Sequence, residues 1–143
     1  MARRSLVIDA SIAVKWFSAK GEDNVARALE IMDGHVDGEL LLTAPDLLYY
    51  EVANALVHKK ALTDEEVRLA LRDTFALGLQ TSVVDVDLMT LSIEMARKAA
   101  ITVYDACYAA LAHQRKCPLV TANPRHQAQV LNCEVIPLEN WRR

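Results

Sequence analysis

The chain has 143 residues, of which 52% are hydrophobic, and its 16 Lys and Arg residues against 19 Asp and Glu residues give a formal net charge of −3. This length predicts a single domain, residues 1–143, with one buried core. The aromatic share of only 6% predicts a core of Leu, Val, Ile and Ala. Near-balanced charge argues against a general polyanion binder, because sequence-independent nucleic-acid affinity depends on many Lys and Arg contacts to phosphates.

Short β-branched runs alternate along the chain with longer amphipathic segments. A strand at residues 6–9 is followed by helices at 11–17 and 23–32, a strand at 40–43, helices at 45–60 and 63–77, a strand at 82–86, helices at 87–99 and 104–116, a strand at 118–121, a short helix at 124–131 and an edge strand at 134–136. This alternation predicts an α/β fold with a short, mostly parallel central sheet and helices on both faces.

Local signals mark several of the predicted boundaries. Asp46 is a suitable N-cap for the helix at 45–60, and Thr63 with Glu66 forms a capping box for the next helix. The glycine-containing segment 34–38 breaks the second helix, which places His35 in a loop at the surface.

Cysteine usage and the absence of long apolar segments bear on the compartment. Cys107, Cys117 and Cys133 form no Cys-x-x-Cys pair, so we expect apolar thiols in a reducing compartment rather than disulfides or a zinc site. No segment is long enough to cross a membrane, and the N-terminal residues do not resemble a signal peptide. We therefore expect a cytoplasmic protein without a membrane partner.

Three acidic residues are embedded in apolar sequence. Asp9 follows the first strand, Glu51 lies early in the helix at 45–60, and Asp105 lies early in the helix at 104–116. In parallel sheets sites lie beyond the carboxyl ends of the strands, so these residues, with Asn123 after the fourth strand, are expected at one edge. Each acid alone has an ordinary explanation as a turn residue, an ion-pair partner or a helix-start acid. The three together favour a divalent metal site, because buried carboxylates need a cation.

The type of donor indicates the ion and its chemistry. Carboxylate, amide and water oxygens are the ligands that Mg²⁺ and Mn²⁺ prefer. An ion held there can polarise a phosphoryl oxygen and lower the pKa of an attacking water. The predicted metal ligands are Asp9, Glu51 and Asp105, and Asn123 joins them as a catalytic residue.

Four segments carry a family resemblance when they are taken in order. They are VIDAS at residues 7–11, the segment 45–56 around Glu51, VYDACYAALA at 103–112 and PLVTAN at 118–123. Together they resemble the successive motifs of PIN-domain nucleases, most closely the VapC-type toxins of toxin–antitoxin pairs. The resemblance spans nearly the whole chain and implies a PIN-like three-layer fold.

The resemblance also implies a function and partners. It implies a Mg²⁺- or Mn²⁺-dependent endoribonuclease, commonly a homodimer, that acts on RNA and is inhibited by a cognate antitoxin protein. Asp9, Glu51 and Asp105 match the family's acidic positions. Asn123 stands where the family usually has a further Asp. Asn can donate a carbonyl oxygen to a metal but supplies no charge.

Supporting roles have simpler alternatives that stay open. Ser11 holds a metal-bound water or, more simply, caps the first helix; Thr121 orients water or phosphate, or bonds backbone at a strand end. Lys15 and Arg125 are candidate contacts to RNA phosphate, or solvated side chains. Asn123 before Pro124 also suits a helix N-cap.

Aromatic residues at helical spacing are expected in core or dimer contacts rather than stacked on bases: Trp16, Phe17, Tyr49 and Tyr50.

Rival functions differ in what they require of the sequence. A dehydrogenase is disfavoured because no Gly-x-Gly-x-x-Gly turn follows the first strand. A haloacid-dehalogenase-type phosphatase shares the Asp at the end of that strand, but its second Asp would fall at Ser11. A catalytically weak PIN-fold module that binds RNA or an antitoxin without cutting is supported by Asn123.

Overall fold

A five-stranded sheet with every neighbouring pair parallel forms the centre of the protein. The computed structural model describes residues 2–130 and 132–143. The strands are β1 (Arg4–Ile8), β2 (Leu40–Pro45), β3 (Gln80–Ser82), β4 (Leu119–Thr121) and β5 (Val135–Pro137), in the order β3-β2-β1-β4-β5. The predicted parallel sheet is confirmed, and β5 is the expected edge strand.

Helices flank the sheet and connect its strands. They are α1 (Ala10–Phe17), α2 (Val25–Val36), α3 (Leu47–Val57), α4 (Asp64–Ala76), α5 (Val86–Ala99), α6 (Val103–Arg115) and α7 (Pro124–Gln127), followed by a 3₁₀ turn at Leu138–Asn140. The capping box of α4 is confirmed, with the Glu66 amide 3.2 Å from Thr63 Oγ1 and the Thr63 amide 2.7 Å from Glu66 Oε2. No helix among the described residues is long and apolar enough to cross a membrane.

The core is aliphatic and centres on β1 and α6. Leu6, Val7 and Ile8 are fully buried, as expected for a strand covered on both faces. On α6 the residues from Ala106 to Ala112 are all buried, and four of the seven are alanines. These small side chains let α6 lie close to β1, β2 and β4, which it contacts, and Cys107 is buried among them.

Several predicted boundaries are wrong. α2 continues through Gly34 to Val36. Gly34 leaves room for the Leu40 side chain, since a Cβ atom there would lie 2.7 Å from Leu40 Cδ1. The chain turns at Gly38 instead, where φ is +78°. β3 ends at Ser82, and α5 begins at Val86. α7 ends at Gln127, and residue 131, the end of the predicted helix, lies outside the described residues.

Two predictions about side chains near helix ends are also wrong. Asp46 is in helical conformation and makes no capping hydrogen bond, so α3 begins without a side-chain cap. His35 is not at the surface but only 8% exposed. Its Nε2 atom lies 2.9 Å from the Leu77 carbonyl, and its Nδ1 atom accepts from the Leu42 amide at 3.3 Å. Leu42 precedes the residues of β2 that pair with β3, so the imidazole supplies the acceptor that β3 does not reach.

Replacing His35 should therefore destabilise the fold. In His35→Ala the buried Leu42 amide loses its acceptor and the Leu77 carbonyl loses its donor, which should lower the free energy of unfolding by about 2–4 kcal/mol. Urea denaturation of this variant beside His58→Ala, an exposed histidine after α3, measures the difference. Equal midpoints for the two variants would contradict this account of His35.

Candidate active site

Acidic residues from three separate elements meet at the carboxyl edge of the sheet. Asp9 follows β1 directly, Glu51 is in the second turn of α3, and Asp105 is in the first turn of α6. Asn123 follows β4, which is the neighbour of β1 in the sheet. All four residues line one cavity of about 650 Å³. The fold therefore brings together the side chains that the sequence suggested as one group.

Asp9 is the most enclosed of these carboxylates, with 6% of its surface exposed. Its Oδ1 atom accepts from the Ser11 amide at 3.1 Å and from the Ser11 hydroxyl. Its Oδ2 atom accepts from the Thr121 hydroxyl at 2.5 Å and lies 3.4 Å from Gln127 Nε2. Four donors hold this carboxylate, so its position is set before any ligand arrives.

Ser11 is not the helix cap of its simpler alternative, whereas Thr121 makes the backbone contact of its simpler alternative and also contacts Asp9. Asp9 rather than Ser11 caps α1. The Ser11 hydroxyl accepts from the Ala122 amide at 2.9 Å, which joins α1 to the end of β4. The Thr121 hydroxyl contacts Asp9 and also accepts from the Asn123 amide at 3.1 Å. Both hydroxyls thus orient Asp9.

Glu51 is held by a residue that the sequence analysis did not single out. The phenol of Tyr108 donates to Glu51 Oε1 at 2.5 Å. Burial and the nearby Glu51 raise the pKa of Tyr108 above its ordinary value, so the phenol stays protonated and acts as a donor. Tyr108 lies three residues after Asp105 on α6 and so on the same helix face, a spacing that could have revealed it. Gln127, buried on α7, left no comparable signal.

The carboxylates are costly to hold together without a counter-charge. Burial raises the pKa of Asp9, against the effect of its hydrogen bonds, and the nearby Asp105 raises it further. Burial likewise raises the pKa of Glu51, with repulsion from Asp9 and Asp105 in the same direction. Both shifts oppose ionisation, and a bound cation would reverse them. Such perturbed acids in one cavity are typical of functional sites.

The donor set suits a hard divalent cation, although the side chains do not form a finished cage. Among residues 2–130 and 132–143 no three His, Cys, Asp or Glu side chains are arranged to hold a metal ion. Mg²⁺ commonly binds through one or two carboxylates and keeps several waters, so a complete cage of protein atoms is not required. The residues present therefore fit such an ion in oxygen chemistry and in charge.

The basic candidates occupy different places. Lys15 is not a solvated residue: it is only 6% exposed, and it lines the cavity with its ammonium 2.8 Å from Glu22. Arg125 is exposed on α7 and is not part of the described cavity wall. Arg142 and Arg143, beyond the 3₁₀ turn, do not line it either.

The aromatic candidates make mainly internal contacts. Trp16 donates to the Ala28 carbonyl at 2.8 Å, and its ring lies edge-on to Phe17. Tyr49 stacks on Phe75 with ring centroids 3.9 Å apart. None of the three tyrosine and tryptophan side chains Trp16, Tyr49 and Tyr50 lines the cavity. The predicted place of Trp16, Phe17 and Tyr49 in packing agrees with these contacts, whereas Tyr50 is 76% exposed and its predicted dimer contact stays a prediction.

Sequence comparison identifies the family. The profile of the PIN domain family matches residues 6–130, which includes every proposed site residue. The chain belongs to the PIN domain family. PIN domains are nucleases that generally use divalent metal ions. Membership of the PIN family rules out the haloacid-dehalogenase-type alternative and agrees with the rejection of a dehydrogenase. A search of curated proteins returns no significant match.

Solved structures share this PIN fold over nearly their whole length. The VapBC2 complex of Rickettsia felis, bound to promoter DNA, contains a chain that matches with a TM-score of 0.68, 16% identity and coverage of 96% of this chain and 99% of that chain. PAE2754 of Pyrobaculum aerophilum matches with a TM-score of 0.64, 22% identity and coverage of 97% and 93%. VapC20 of Mycobacterium tuberculosis, described as a Sarcin-Ricin loop cleaving toxin, matches with a TM-score of 0.67, 12% identity and coverage of 86% and 93%. At these identities the likeness establishes the fold.

Asn123 of this PIN domain is not the helix cap that the sequence suggested. Its side chain makes no capping hydrogen bond to α7, and the residue lies exposed on the cavity wall. Asn123→Ala should therefore change stability by less than about 0.5 kcal/mol, below a typical cap loss. Asn123→Asp should tighten Mn²⁺ binding, because it adds a charge where the family usually has one.

Two measurements on the same variants check these statements. Calorimetric Mn²⁺ titrations compare the wild type with Asn123→Asp, and thermal melts compare the wild type with Asn123→Ala. Equal metal affinities would remove Asn123 from the site. A stability loss near about 1 kcal/mol in Asn123→Ala would restore the cap role.

Proposed function

We propose that this PIN domain is a Mg²⁺- or Mn²⁺-dependent endoribonuclease that hydrolyses RNA phosphodiester bonds. The observation that carries the proposal is that Asp9, Glu51 and Asp105, from three separate elements, line one cavity at the carboxyl edge of the sheet. VapC20, which shares the fold, is described as a Sarcin-Ricin loop cleaving toxin, and that description supports the choice of RNA. We also propose that residues 1–143 act as a single domain.

The residues of the cavity have distinct proposed roles. Asp9, Glu51 and Asp105 would hold the ion, with Asn123 contributing a neutral oxygen. The bound ion would supply charge neutralisation at phosphate and lower the pKa of a water. Ser11, Thr121 and Gln127 fix Asp9, and Tyr108 fixes Glu51. Pre-oriented carboxylates matter because phosphoryl transfer depends on positioning and electrostatics more than on a protein nucleophile.

The reaction would be in-line attack of water on phosphorus. The water oxygen forms the new bond to phosphorus, and the bond to the leaving ribose oxygen breaks. The proton lost by the water is taken up by solvent or a site carboxylate, and the leaving oxygen gains a proton. This course requires no covalent protein intermediate, in agreement with a described cavity lined by carboxylates and without a cysteine or histidine.

Cleavage of RNA by purified protein freed of any antitoxin tests the proposal. We expect end-labelled single-stranded or looped RNA to be cut in Mn²⁺ buffer. An equally concentrated sample of the protein unfolded by heat provides the blank. RNA that stays intact across sequences and loop types would overturn the endoribonuclease proposal.

The partners we propose are an antitoxin and a second copy of the chain. A toxin–antitoxin complex of Klebsiella pneumoniae contains a chain of the same fold, and this likeness supports a similar pairing here. We propose that the pairing takes place in the cytoplasm. Exposed apolar residues on α3 and α4, including Tyr50, which is 76% exposed, and Phe75, which stacks on Tyr49, offer a surface for a homodimer. Trp16 is less suited because its indole is bonded internally. A monomeric mass by light scattering at micromolar concentrations would contradict the dimer.

A second candidate function is a PIN-fold module that binds RNA or an antitoxin and cuts weakly or not at all. Asn123 favours it, because the family's additional charge is missing from the cavity wall. The endoribonuclease and the binding module differ in the result expected when RNA is incubated with the protein in Mn²⁺ buffer. RNA that is bound but never cut in Mn²⁺, with cutting restored by Asn123→Asp, would favour the binding module.

A further inference from the structure

A cluster of two lysines and one glutamate lines the same cavity as the carboxylates. Lys15 Nζ lies 2.8 Å from Glu22 Oε2, and Lys59 Nζ lies 3.0 Å from Glu22 Oε1. Each carboxylate oxygen therefore faces one ammonium group. We call Lys15, Glu22 and Lys59 the lysine–glutamate cluster, and all three line the cavity.

The lysine–glutamate cluster lies in the same cavity as the proposed catalytic carboxylates, but farther along α1 and α3. α1 and α3 pack against each other. On α1, Ser11 and Lys15 are four residues apart and share a face, and on α3 Glu51 and Ala55 have the same spacing. Six residues separate Asp9 from Lys15, which at about 1.5 Å per residue amounts to about 9 Å along the helix. A strand bound at the carboxylates would thus pass the lysines.

Lys15 is fixed on a helix, whereas Lys59 and Glu22 lie in connections between helices. Lys15 is on α1 and is 6% exposed, and Lys59 follows the end of α3. Glu22 lies in the connection between α1 and α2, where Gly21 turns the chain at a φ of +75°. The side chains of Glu22 and Lys59 keep 23% and 24% of their surface exposed. The Glu22–Lys59 pair is therefore open to an entering ligand, whereas the Lys15 side chain, 7% exposed, lies deeper in the cavity wall.

The two ammonium groups of the cluster could bind another anion in place of the Glu22 carboxylate. Burial acts to raise the pKa of Glu22, but the hydrogen bonds and charges of Lys15 and Lys59 outweigh it and hold the pKa below its ordinary value. Glu22 is thus ionised at neutral pH and balances one of the two lysines. Without it, two partly desolvated ammonium groups would face the cavity, and such a pair binds phosphate oxygens well.

We propose that Lys15 and Lys59 form a subsite for an RNA phosphate next to the scissile one, and that Glu22 occupies this subsite in the free protein as an internal competitor. The incoming phosphate displaces the Glu22 carboxylate from both lysines. The inference rests on the proposed RNA substrate. It makes the loop that carries Glu22 a determinant of RNA affinity.

Neutralising the competitor tests the proposal without requiring cleavage. Binding of a labelled single-stranded RNA is measured by fluorescence anisotropy in EDTA at several salt concentrations. Glu22→Gln should bind this RNA about 3–10-fold more tightly than the wild type, with a salt slope steeper by about 0.7 for each additional phosphate that the lysines neutralise. In Glu22→Gln combined with Lys59→Met the increase in affinity should vanish, because one of the two ammonium groups is gone.

Glu65→Gln is the matched control for net charge. Glu65 pairs with Arg68 on the exposed surface of α4 and does not line the cavity, so this variant changes the net charge equally. It should alter RNA affinity less than twofold. Circular dichroism checks that each variant folds. Glu22→Asp, whose shorter side chain reaches less far, should also tighten binding and serves if Glu22→Gln does not fold.

Three results would overturn the inference. These are equal RNA affinity for Glu22→Gln and Glu65→Gln, weaker binding by Glu22→Gln, and no binding by Glu22→Gln at low salt. The proposed nuclease function fails separately. A protein that binds RNA as expected but never cuts it in Mn²⁺ would keep the subsite and lose the function. A protein that cuts RNA, but whose RNA affinity does not change in Glu22→Gln, would keep the nuclease function and lose the subsite.

Discussion

Asp9→Asn should slow RNA cleavage by at least about 10²–10³-fold, the range seen when one preorganised electrostatic group is removed from an active site. The substitution removes the negative charge that we propose binds the metal. It keeps an oxygen that can accept from the Ser11 amide, and the Thr121 hydroxyl can turn to accept from the new amide group. The fold should therefore survive. Initial rates in Mn²⁺ and thermal melts of the same samples measure the two effects.

Asp73→Asn is a suitable control for this variant. Asp73 is exposed on α4 and does not line the cavity, so the change in net charge is the same but remote. It should cleave RNA at the wild-type rate. Asp105→Asn should behave like Asp9→Asn, because the contact of Asp105 with Thr102 is made by its backbone amide and is unaffected. Cleavage by Asp9→Asn within about twofold of the control would show that Asp9 is not part of the reaction.

Removal of divalent metal should abolish cleavage, and Mn²⁺ or Mg²⁺ should restore it. The raised pKa values of Asp9 and Glu51 show that the site opposes its own charge, so a cation should also stabilise the fold. At about 100 times its dissociation constant, a bound ion adds about 2.7 kcal/mol to the free energy of unfolding. For a chain of this size that raises Tm by roughly 5–10 °C.

The same titration in Asp9→Asn separates specific from general effects of salt. This variant should show little or no rise in Tm with Mn²⁺, whereas Asp73→Asn should show the full rise. Undiminished RNA cleavage in EDTA would contradict the metal-dependent mechanism. A rise in Tm that is equal in both variants would place the ion elsewhere on the protein.

The two ends of the cavity carry different charges, and each end can bind a ligand of opposite charge. At one end three carboxylates repel one another, and at the other two lysines are neutralised by a loop glutamate. A metal ion relieves the first end. We propose that an RNA phosphate takes over the second. An overall acidic chain can bind a polyanion in this way, because local charges rather than the net charge of −3 face the strand.

The order of strands and helices could be predicted from the sequence because it depends on local patterns. β1 is a short β-branched run, α4 begins with a capping box, and both extend over fewer than fifteen residues. Parallel pairing then follows from the alternation itself, since parallel neighbours need a helical crossover. Asp9 and Asn123 could be placed at one edge for the same reason. Glu51 and Asp105 followed from helices that start at that edge.

The tertiary structure alone decided what each polar side chain contacts. The partners of Asp9 include Thr121 and Gln127, and those of Glu51 include Tyr108, which lie 112, 118 and 57 residues away in the sequence. Local periodicity carries no information about contacts at such separations. It therefore misplaced His35 at the surface, where Leu77 is its partner 42 residues away, and could not pair Lys59 with Glu22, 37 residues away. A buried polar group must find a partner wherever packing provides one, and only the packed chain shows which partner that is.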